Sequence, residues 1–474
     1  MSKFKLFVEN ILIYGLGGII SKIIPLIMVP IVTRLMPNTT YFGISDMCNV
    51  LLSIATAIAI MGMYDAMYRL FFEKEDENYK KRICSTTLFF TVCMSVLIFF
   101  VLIIFKKPIS GFFLEDEELA NMIYIVAIAT LVGGTNSIVS APTRMQNKRK
   151  IFLITNALSP VLSYAVSIPL LLNGCYIIAL PLASLIANLT LEISFYILNR
   201  KWFCVKDIDL TLLKPMLVIA LPLFPNFLIY WLFNSSDKVM ITRLIDIGAS
   251  GIYSVGSKLG QASQLIYTAF AGGWQFFAFS TMKEKNQVKT NSLVFEYLGT
   301  ISFIASMFVF ALAYPIYDLL FPDEYLSGYI VSPYLFLAPL MQMLFQIAAN
   351  QFLVVKKTWP NMLILGSGAI INVILNFALI PTMGIEGASI ATLLGYVISD
   401  IICVVVLCKM ELMVVSKRFL SISALMLAFI MLWRFVIKDI IWLSIAIAIV
   451  LSVIYVLLYK DDLKKLFGSK KSKE

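Results

Sequence analysis

The sequence contains no histidine among its 474 residues, and only 14% of its residues are charged. Without histidine there can be no Ser-His catalytic pair, histidine proton relay or histidine metal ligand. No GxxxxGK[ST] phosphate loop is present, so nothing in the sequence predicts ATP hydrolysis. The seven cysteines show no CxxC spacing, and most fall in apolar segments, which argues against zinc sites and disulfides. We therefore expect a protein that is not an enzyme and needs no cofactor or metal.

Hydrophobic residues make up 60% of the chain, which is more than a water-soluble domain of this length needs. Repeated apolar runs of about 20 residues match a hydrocarbon core roughly 30 Å thick. Helices satisfy their own backbone groups in lipid, so we predict an all-α polytopic membrane protein with about 14 transmembrane helices. The expected spans are 8–35, 41–70, 83–105, 119–141, 151–172, 176–199, 213–241, 250–277, 293–316, 329–354, 359–380, 385–408, 418–437 and 440–459.

The net charge of +10 is concentrated in alternate loops between these spans. If the N-terminus is cytoplasmic, most of the 38 Lys and Arg residues lie in cytoplasmic segments. The outer loops carry acidic runs instead, at 115–118 and 323–324. This is the charge asymmetry that orients membrane proteins. We expect both termini in the cytoplasm and no nucleic-acid partner.

The chain repeats itself at an interval of 207 to 210 residues. The repeated features are Thr33-Arg34-Leu35 with Gly43 and Thr242-Arg243-Leu244 with Gly251, Pro108-Ile109 and Pro315-Ile316, and Gly174 and Gly384. Six spans separate the copies, so the copies share one orientation, and the repeat predicts two parallel six-helix lobes around a central cavity. We expect a first lobe over 1–205 and a second over 206–412. Residues 413–474 would form an extra helix pair and a basic cytoplasmic tail, and 200–214 would link the lobes.

Among the ionisable residues inside expected spans, Lys22 in the first and Lys258 in the eighth are the most informative. A charge at the bilayer centre costs about 2.5 to 3.5 kcal/mol on insertion scales, so such residues are functional candidates. Facing one cavity, these lysines would bind an anionic group such as a pyrophosphate or a carboxylate. The alternative is that each lysine forms a structural ion pair with an aspartate. The available aspartates are Asp46, Asp65, Asp237 and Asp400.

Other polar residues and prolines in the spans are weaker candidates. Asp46, Asp65, Asp237, Arg34 and Arg243 could serve as cavity or coupling charges. The two arginines could instead reach the outer interface. Asp65 and Arg69, four residues apart, are expected to pair on one helix face. The prolines Pro25, Pro30, Pro222 and Pro225 could form flexible gates or static kinks.

Several segments resemble the polysaccharide transporter family of the multidrug/oligosaccharidyl-lipid/polysaccharide exporter superfamily. They are NILIYGLGGIISKIIPLIMVPIVTRLMPNTTYFG at 10–43, ALPLFPNFLIYWLFNSSDKVMITRL at 220–244, GIYSVGSKLGQ at 251–261 and NFALIPTMGIEGASIATLLGY at 376–396. The resemblance implies two six-helix lobes around a cavity that opens alternately to each side. It also implies a flippase that moves an undecaprenyl-pyrophosphate-linked oligosaccharide repeat unit to the outer leaflet of the bacterial cytoplasmic membrane. By matching position, Lys22 and Lys258 would hold the pyrophosphate.

The implied cargo serves the synthesis of O-antigen, capsule or exopolysaccharide. The implied partners are the lipid-linked oligosaccharide, membrane lipids and other membrane proteins of polysaccharide assembly. One alternative is a small-molecule or multidrug exporter coupled to Na⁺ or H⁺, with Asp46 or Asp65 as the coupling carboxylate. A second alternative is a lipid II flippase, but the sparse, lysine-based charge of the cavity disfavours it. A third alternative is a membrane-embedded polymerase or ligase, but the short outer loops disfavour it.

Overall fold

The computed structural model describes residues 22–267, 286–355, 357, 359–460 and 462. These residues form α-helices, short 3-10 turns and one π-helical turn, and they include no β-strand. Twelve of the described helices are long and apolar enough to cross a membrane. The all-helical fold class is therefore confirmed. The twelve correspond to expected spans, and the remaining two, 8–35 and 250–277, extend outside the described residues. The count of 14 stays a prediction.

We number the main helices in chain order. They are α1 (22–35), α2 (Thr39–Ile60), α3 (Met63–Phe71), α4 (Glu77–Ile104), α5 (Lys106–Phe113), α6 (Met122–Met145), α7 (Arg149–Leu172), α8 (Tyr176–Asn199), α9 (Leu213–Ala220), α10 (Phe224–Leu244), α11 (Ile247–Gly260), α12 (Gln287–Leu320), α13 (Ser332–Val354), α14 (Trp359–Met383), α15 (Ile385–Lys409), α16 (Lys417–Leu432) and α17 (Ile441–Leu458). Polar side chains cap several of them. Asp76, for example, accepts hydrogen bonds from the first amides of α4, because the first turn of a helix lacks internal acceptors.

The turns at Gly174 and Gly384 have the same left-handed backbone. Gly174 has φ of +79° between α7 and α8, and Gly384 has φ of +63° between α14 and α15. An added Cβ would meet no atom within 4 Å at either position, so the backbone conformation alone favours glycine. The two glycines are 210 residues apart in the sequence and occupy equivalent turns. This supports the internal repeat, while the arrangement of the lobes stays a prediction.

The chain divides into two compact units. The first contains the chain up to Val255 together with Ile371–Ala391, and the second contains Gly256–Ile370 and the chain from Thr392 onward. In the first unit, α6 packs against α2, α4 and α8. Two apolar clusters stabilise this unit. One gathers residues of α3, α4, α6, α8 and α9, and the other includes residues of α2, α4 and α6 with Ile247.

The segment expected to link the lobes is docked on the first unit. It forms three 3-10 turns, Arg200–Trp202, Val205–Asp207 and Leu210–Leu212. Trp202 is buried, and its carbonyl accepts a hydrogen bond from the Ser85 hydroxyl of α4 at 3.3 Å. The Asp209 carboxylate forms an ion pair with Arg82, which is also on α4. Contacts with α4 therefore hold this segment in place, while its role as a link between lobes stays a prediction.

The seventh expected span is interrupted at its prolines. The helix α9 ends at Ala220, a 3-10 turn covers Leu221–Leu223, and α10 begins at Phe224. Pro222 lies in that turn and Pro225 in the first turn of α10, where a missing N–H costs least. A Cβ on Gly62 would lie 2.6 Å from the carbonyl oxygen of Ala220, so α9 ends in close contact with the start of α3.

In the second unit, the last two helices are docked on α12 through Glu296. This carboxylate is 2% exposed and accepts hydrogen bonds from the Ser416 amide at 2.7 Å and the Tyr459 hydroxyl at 3.0 Å. Phe419 of α16 fills the surface of α12 at Gly299, where a Cβ would lie 2.5 Å from its ring.

Candidate functional site

A buried ion pair joins α2 to α10. The Lys238 ammonium lies 2.8 Å from Oδ2 of Asp46, and the two side chains are 11% and 8% exposed. The Ser254 hydroxyl of α11 donates to the same carboxylate at 2.5 Å. Charges removed from water are tolerated when they are paired and hydrogen-bonded. The consecutive helices α10 and α11 therefore meet α2, which is distant in sequence, at one carboxylate.

A second buried carboxylate lies next to the first. Asp237, one residue before Lys238, is 4% exposed. It accepts a hydrogen bond from the Tyr253 hydroxyl of α11. We call Asp46, Asp237, Lys238, Tyr253 and Ser254 the Asp46 cluster. Its hydrogen bonds hold α11 to both α2 and α10.

Two glycines allow the first turns of α2 and α11 to touch beside this cluster. A Cβ on Gly43 would lie 2.0 Å from the carbonyl oxygen of Ile247. A Cβ on Gly251 would lie 2.3 Å from the carbonyl oxygen of Thr39 and 3.0 Å from the amide nitrogen of Gly43. No real side chain approaches so closely, so both positions require glycine. The repeat predicted that Gly43 and Gly251 are equivalent, and the structure shows that they are in contact.

The same ends of α10 and α11 also contact α5 and the loop that follows it. The Arg243 guanidinium donates to the carbonyl oxygen of Gly111 at 3.2 Å and lies 5.4 Å from the centre of the Phe112 ring. The Glu115 carboxylate accepts a hydrogen bond from the Ile247 amide at 2.9 Å, which satisfies one free N–H at the start of α11. Arg243 therefore contacts α5, in addition to any contact with the outer membrane interface.

The other expected site residues are placed as follows. Lys22 is half-buried on α1 and belongs to the first unit, whereas Lys258 is half-buried on α11 and belongs to the second. A shared cavity for these two lysines stays a prediction. Arg34 is exposed at the end of α1, which remains helical through Pro25 and Pro30.

Three of the aspartates that were candidate partners of Lys22 or Lys258 have other surroundings. Asp46 forms an ion pair, but with Lys238. Asp65 and Arg69, both described, form no ion pair with each other, so the expected pairing is wrong. They occupy the first and last turns of the nine-residue α3, where the helix ends already favour an acid and a base respectively. Asp400 of α15 is 7% exposed, and within the described chain neither of its carboxylate oxygens accepts a hydrogen bond.

The sequence analysis missed Lys238, Tyr253 and Ser254. Lys238 lies inside the expected span 213–241, next to Asp237, so its depth could have identified it. Tyr253 and Ser254 lie within a segment matched to the resembled family, but their residue types are common in helices. Nothing in the local sequence predicts that they meet a carboxylate from α2.

Comparison with known proteins identifies the family and the fold. A family model described as "Polysaccharide biosynthesis protein" matches residues 7–283, which is more than half of the chain. No curated protein sequence matches the chain. Among solved structures, the lipid II flippase MurJ in an inward closed conformation is similar, with a TM-score of 0.73 and 16% identity. The similarity covers 95% of this chain and 100% of that chain.

Two transporters of the MATE family have the same fold. An inward-facing multidrug resistance MATE transporter of the MOP superfamily has a TM-score of 0.63 at 12% identity, covering 84% of this chain and 94% of that chain. A MATE transporter from Vibrio cholerae has a TM-score of 0.56 at 13% identity, covering 85% and 96%. At these identities the similarity establishes a common fold.

Proposed function

Because the chain belongs to the polysaccharide biosynthesis protein family, we propose that it is a flippase for a lipid-linked oligosaccharide. The cargo would be an undecaprenyl-pyrophosphate-linked repeat unit that moves to the outer leaflet during surface polysaccharide synthesis. The observation that carries this proposal is the Asp46 cluster, in a fold shared with membrane transporters. It joins a helix of the first repeat to two helices of the second, as a gate between two lobes must do.

The charge of the loops supports a position of this gate on the outer side of the membrane. With a cytoplasmic N-terminus, α2 begins at the outer face, α10 ends there and α11 begins there. A closed outer gate leaves a cavity accessible to cargo from the cytoplasmic leaflet. Opening it requires the ion pair between Asp46 and Lys238 to separate, and water or cargo must then solvate both charges. Rocking of one lobe against the other would accomplish this.

In this proposal Lys22 and Lys258 bind the pyrophosphate. A sugar head group cannot cross hydrocarbon unaided, because its hydroxyls and charge would lose their water. Two lysines that remain half-buried within spans can replace part of that water with charge-assisted hydrogen bonds.

We expect Lys22→Ala and Lys258→Ala together to reduce surface polysaccharide at least about 10-fold, because each lost contact weakens binding by roughly that factor. The measurement is complementation of a strain that lacks its own flippase. Arginine at both positions should retain part of the activity, and Lys107→Ala, an exposed lysine outside the spans, should have no effect. Normal polysaccharide in the double alanine variant would refute this assignment of the lysines.

Other cargoes remain as alternatives because the fold is shared with proteins of different cargo. MurJ is a lipid II flippase and the MATE proteins are multidrug transporters. Rescue of a strain depleted of its lipid II flippase would favour the first alternative. Broad drug resistance on expression would favour the second, and restoration of polysaccharide alone would favour our proposal.

Ion coupling is supported by Asp400. A carboxylate that is 7% exposed and accepts no hydrogen bond from the described residues is costly in its ionised form. It would therefore take up a proton or a cation when enclosed in this way. The equivalent position of the repeat, 208 residues earlier, is Glu192 of α8, which accepts a hydrogen bond from Thr135.

We expect Asp400→Asn to remove the response of transport to an imposed proton gradient, since the amide carries no titratable proton. Flipping of a fluorescent lipid-linked sugar in proteoliposomes, with and without the gradient, measures this. Glu411→Gln changes an exposed carboxylate just after α15 and serves as the control. If Asp400→Asn responds to the gradient as strongly as the unmodified chain, Asp400 has no role in ion coupling.

A further inference from the structure

A polar cavity of about 140 Å³ lies within the first unit, and its lining includes neither a residue of the Asp46 cluster nor Lys22 or Lys258. It is formed by the last two turns of α6, the first three turns of α7 and the final part of α8. Its walls combine one cation, Arg144, with several hydroxyl and amide groups. No part of the proposed transport route requires such a group of residues here.

Arg144 is held with its guanidinium over the Phe152 ring, 4.7 Å from the ring centre. A cation–π contact does not use the N–H groups of the guanidinium, which remain available as hydrogen-bond donors. Within the described chain no carboxylate forms an ion pair with it. A cation oriented in this way and not neutralised by an acid is suited to bind an oxyanion through two parallel hydrogen bonds.

The polar groups of the walls favour a ligand that also carries hydroxyls. The Thr155 hydroxyl donates to the Ile151 carbonyl at 2.9 Å, and the Asn156 amide donates to the Phe152 carbonyl at 2.8 Å. Their oxygen atoms therefore remain as acceptors. The Ser159 hydroxyl forms no hydrogen bond with any described residue, so it can both donate and accept. Arginine supplies donors for an anion, and the other groups supply acceptors for hydroxyls.

The position of the cavity is that of a membrane interface. Arg144 lies in the last turn of α6, and the exposed bases Lys150, Arg200 and Lys201 lie at the same helix ends. The helix α7 exposes apolar side chains such as Ile154, which is 63% exposed. A head group in the cavity could thus leave its acyl chains in the bilayer beside α7. Basic pockets between membrane helices bind anionic lipid head groups in this way.

We propose that this cavity binds the phosphate of a membrane lipid whose head group also carries hydroxyl groups. Arg144 would bind the phosphate, while Thr155, Asn156 and Ser159 would bind the hydroxyls. Two lipids share this chemistry, phosphatidylglycerol of the bilayer and a polyprenyl-linked sugar. The proposal goes beyond the proposed transport function and does not require it to be correct.

The test is lipid binding to the purified full-length chain by native mass spectrometry. We expect retention of phosphatidylglycerol over phosphatidylethanolamine, and about a 10-fold weaker retention in Arg144→Ala, as for the loss of one charge-assisted contact. Arg200→Ala removes the same charge at the same end outside the cavity and should change retention less than about 2-fold. Arg144→Lys should retain an intermediate affinity, which separates loss of the contact from misfolding.

A competition experiment distinguishes the two candidate lipids. Displacement of phosphatidylglycerol by a polyprenyl-pyrophosphate-linked sugar would assign the cavity to the cargo, and failure to displace it would assign the cavity to the bilayer lipid. Both results support the site. Equal retention by Arg144→Ala and Arg200→Ala, or no preference for phosphatidylglycerol in the unmodified chain, overturns it. Because the Lys22 and Lys258 variants should bind the lipid normally, the outcome is independent of the transport proposal.

Discussion

Replacing Lys238 with methionine is expected to lower the free energy of unfolding by about 3 to 5 kcal/mol, because the buried Asp46 carboxylate would lose the cation of its ion pair. Transport should be lost as well, since the outer gate could no longer be held closed. The measurements are the midpoint of thermal unfolding in detergent and polysaccharide complementation. Asp46→Asn alone should have a similar effect on the midpoint, because it leaves the lysine unpaired.

A double variant and a control variant test this effect of Lys238→Met. In the double variant Asp46→Asn with Lys238→Met both charges of the ion pair are removed, and Asp237 keeps its hydrogen bond from Tyr253. The midpoint should therefore return close to that of the unmodified chain. Lys81→Met breaks the exposed pair with Glu77 at 3.2 Å, whose side chains are 28% and 62% exposed, and should cost at most about 1 kcal/mol. If Lys238→Met is as mild as Lys81→Met, the ion pair contributes nothing to the closed gate.

Alanine at Gly43 or at Gly251 is expected to separate the first turns of α2 and α11. The added Cβ would lie 2.0 Å or 2.3 Å from a backbone oxygen, which a side-chain rotation cannot relieve. Overpacking of this kind costs about 1 to 3 kcal/mol. Because the Asp46 cluster depends on the same approach, transport should fall together with the unfolding midpoint.

Gly111→Ala is the matched control at the same end of the unit. There the nearest atom to an added Cβ is Cγ of Glu117 at 3.3 Å, in a flexible side chain that can move aside. This variant should keep both its midpoint and its activity. Similar behaviour of all three glycine variants would show that close approach of α2 and α11 is not needed for function.

The fold class could be predicted from the sequence because lipid permits few solutions. An apolar run long enough to span the bilayer must be a helix, so composition and loop charge determine the class and the approximate spans. The internal repeat could be found from pairs such as Gly43 and Gly251. A repeat states which residues are equivalent, however, and does not state which residues touch.

The Asp46 cluster could not be predicted from the sequence for the same reason. Lys238 and Asp46 are far apart in the chain, and either could have been solvated, paired locally or paired with another span. The expected pair of Asp65 and Arg69 failed because a spacing of four contributes only a few tenths of a kcal/mol. Such a small term does not outweigh the favourable position of each residue at its own helix end.

The docked linker changes where the chain can bend. Hydrogen bonds to α4 hold the segment that follows α8, and α9 ends against α3 at Gly62. The turn at Leu221–Leu223, with Pro222 inside it, is the first break between helices after these two contacts. If α10 moves during a transport cycle, the pivot is inside the hydrophobic seventh span. The hydrophilic segment 200–214, which precedes this span, would then stay fixed on α4.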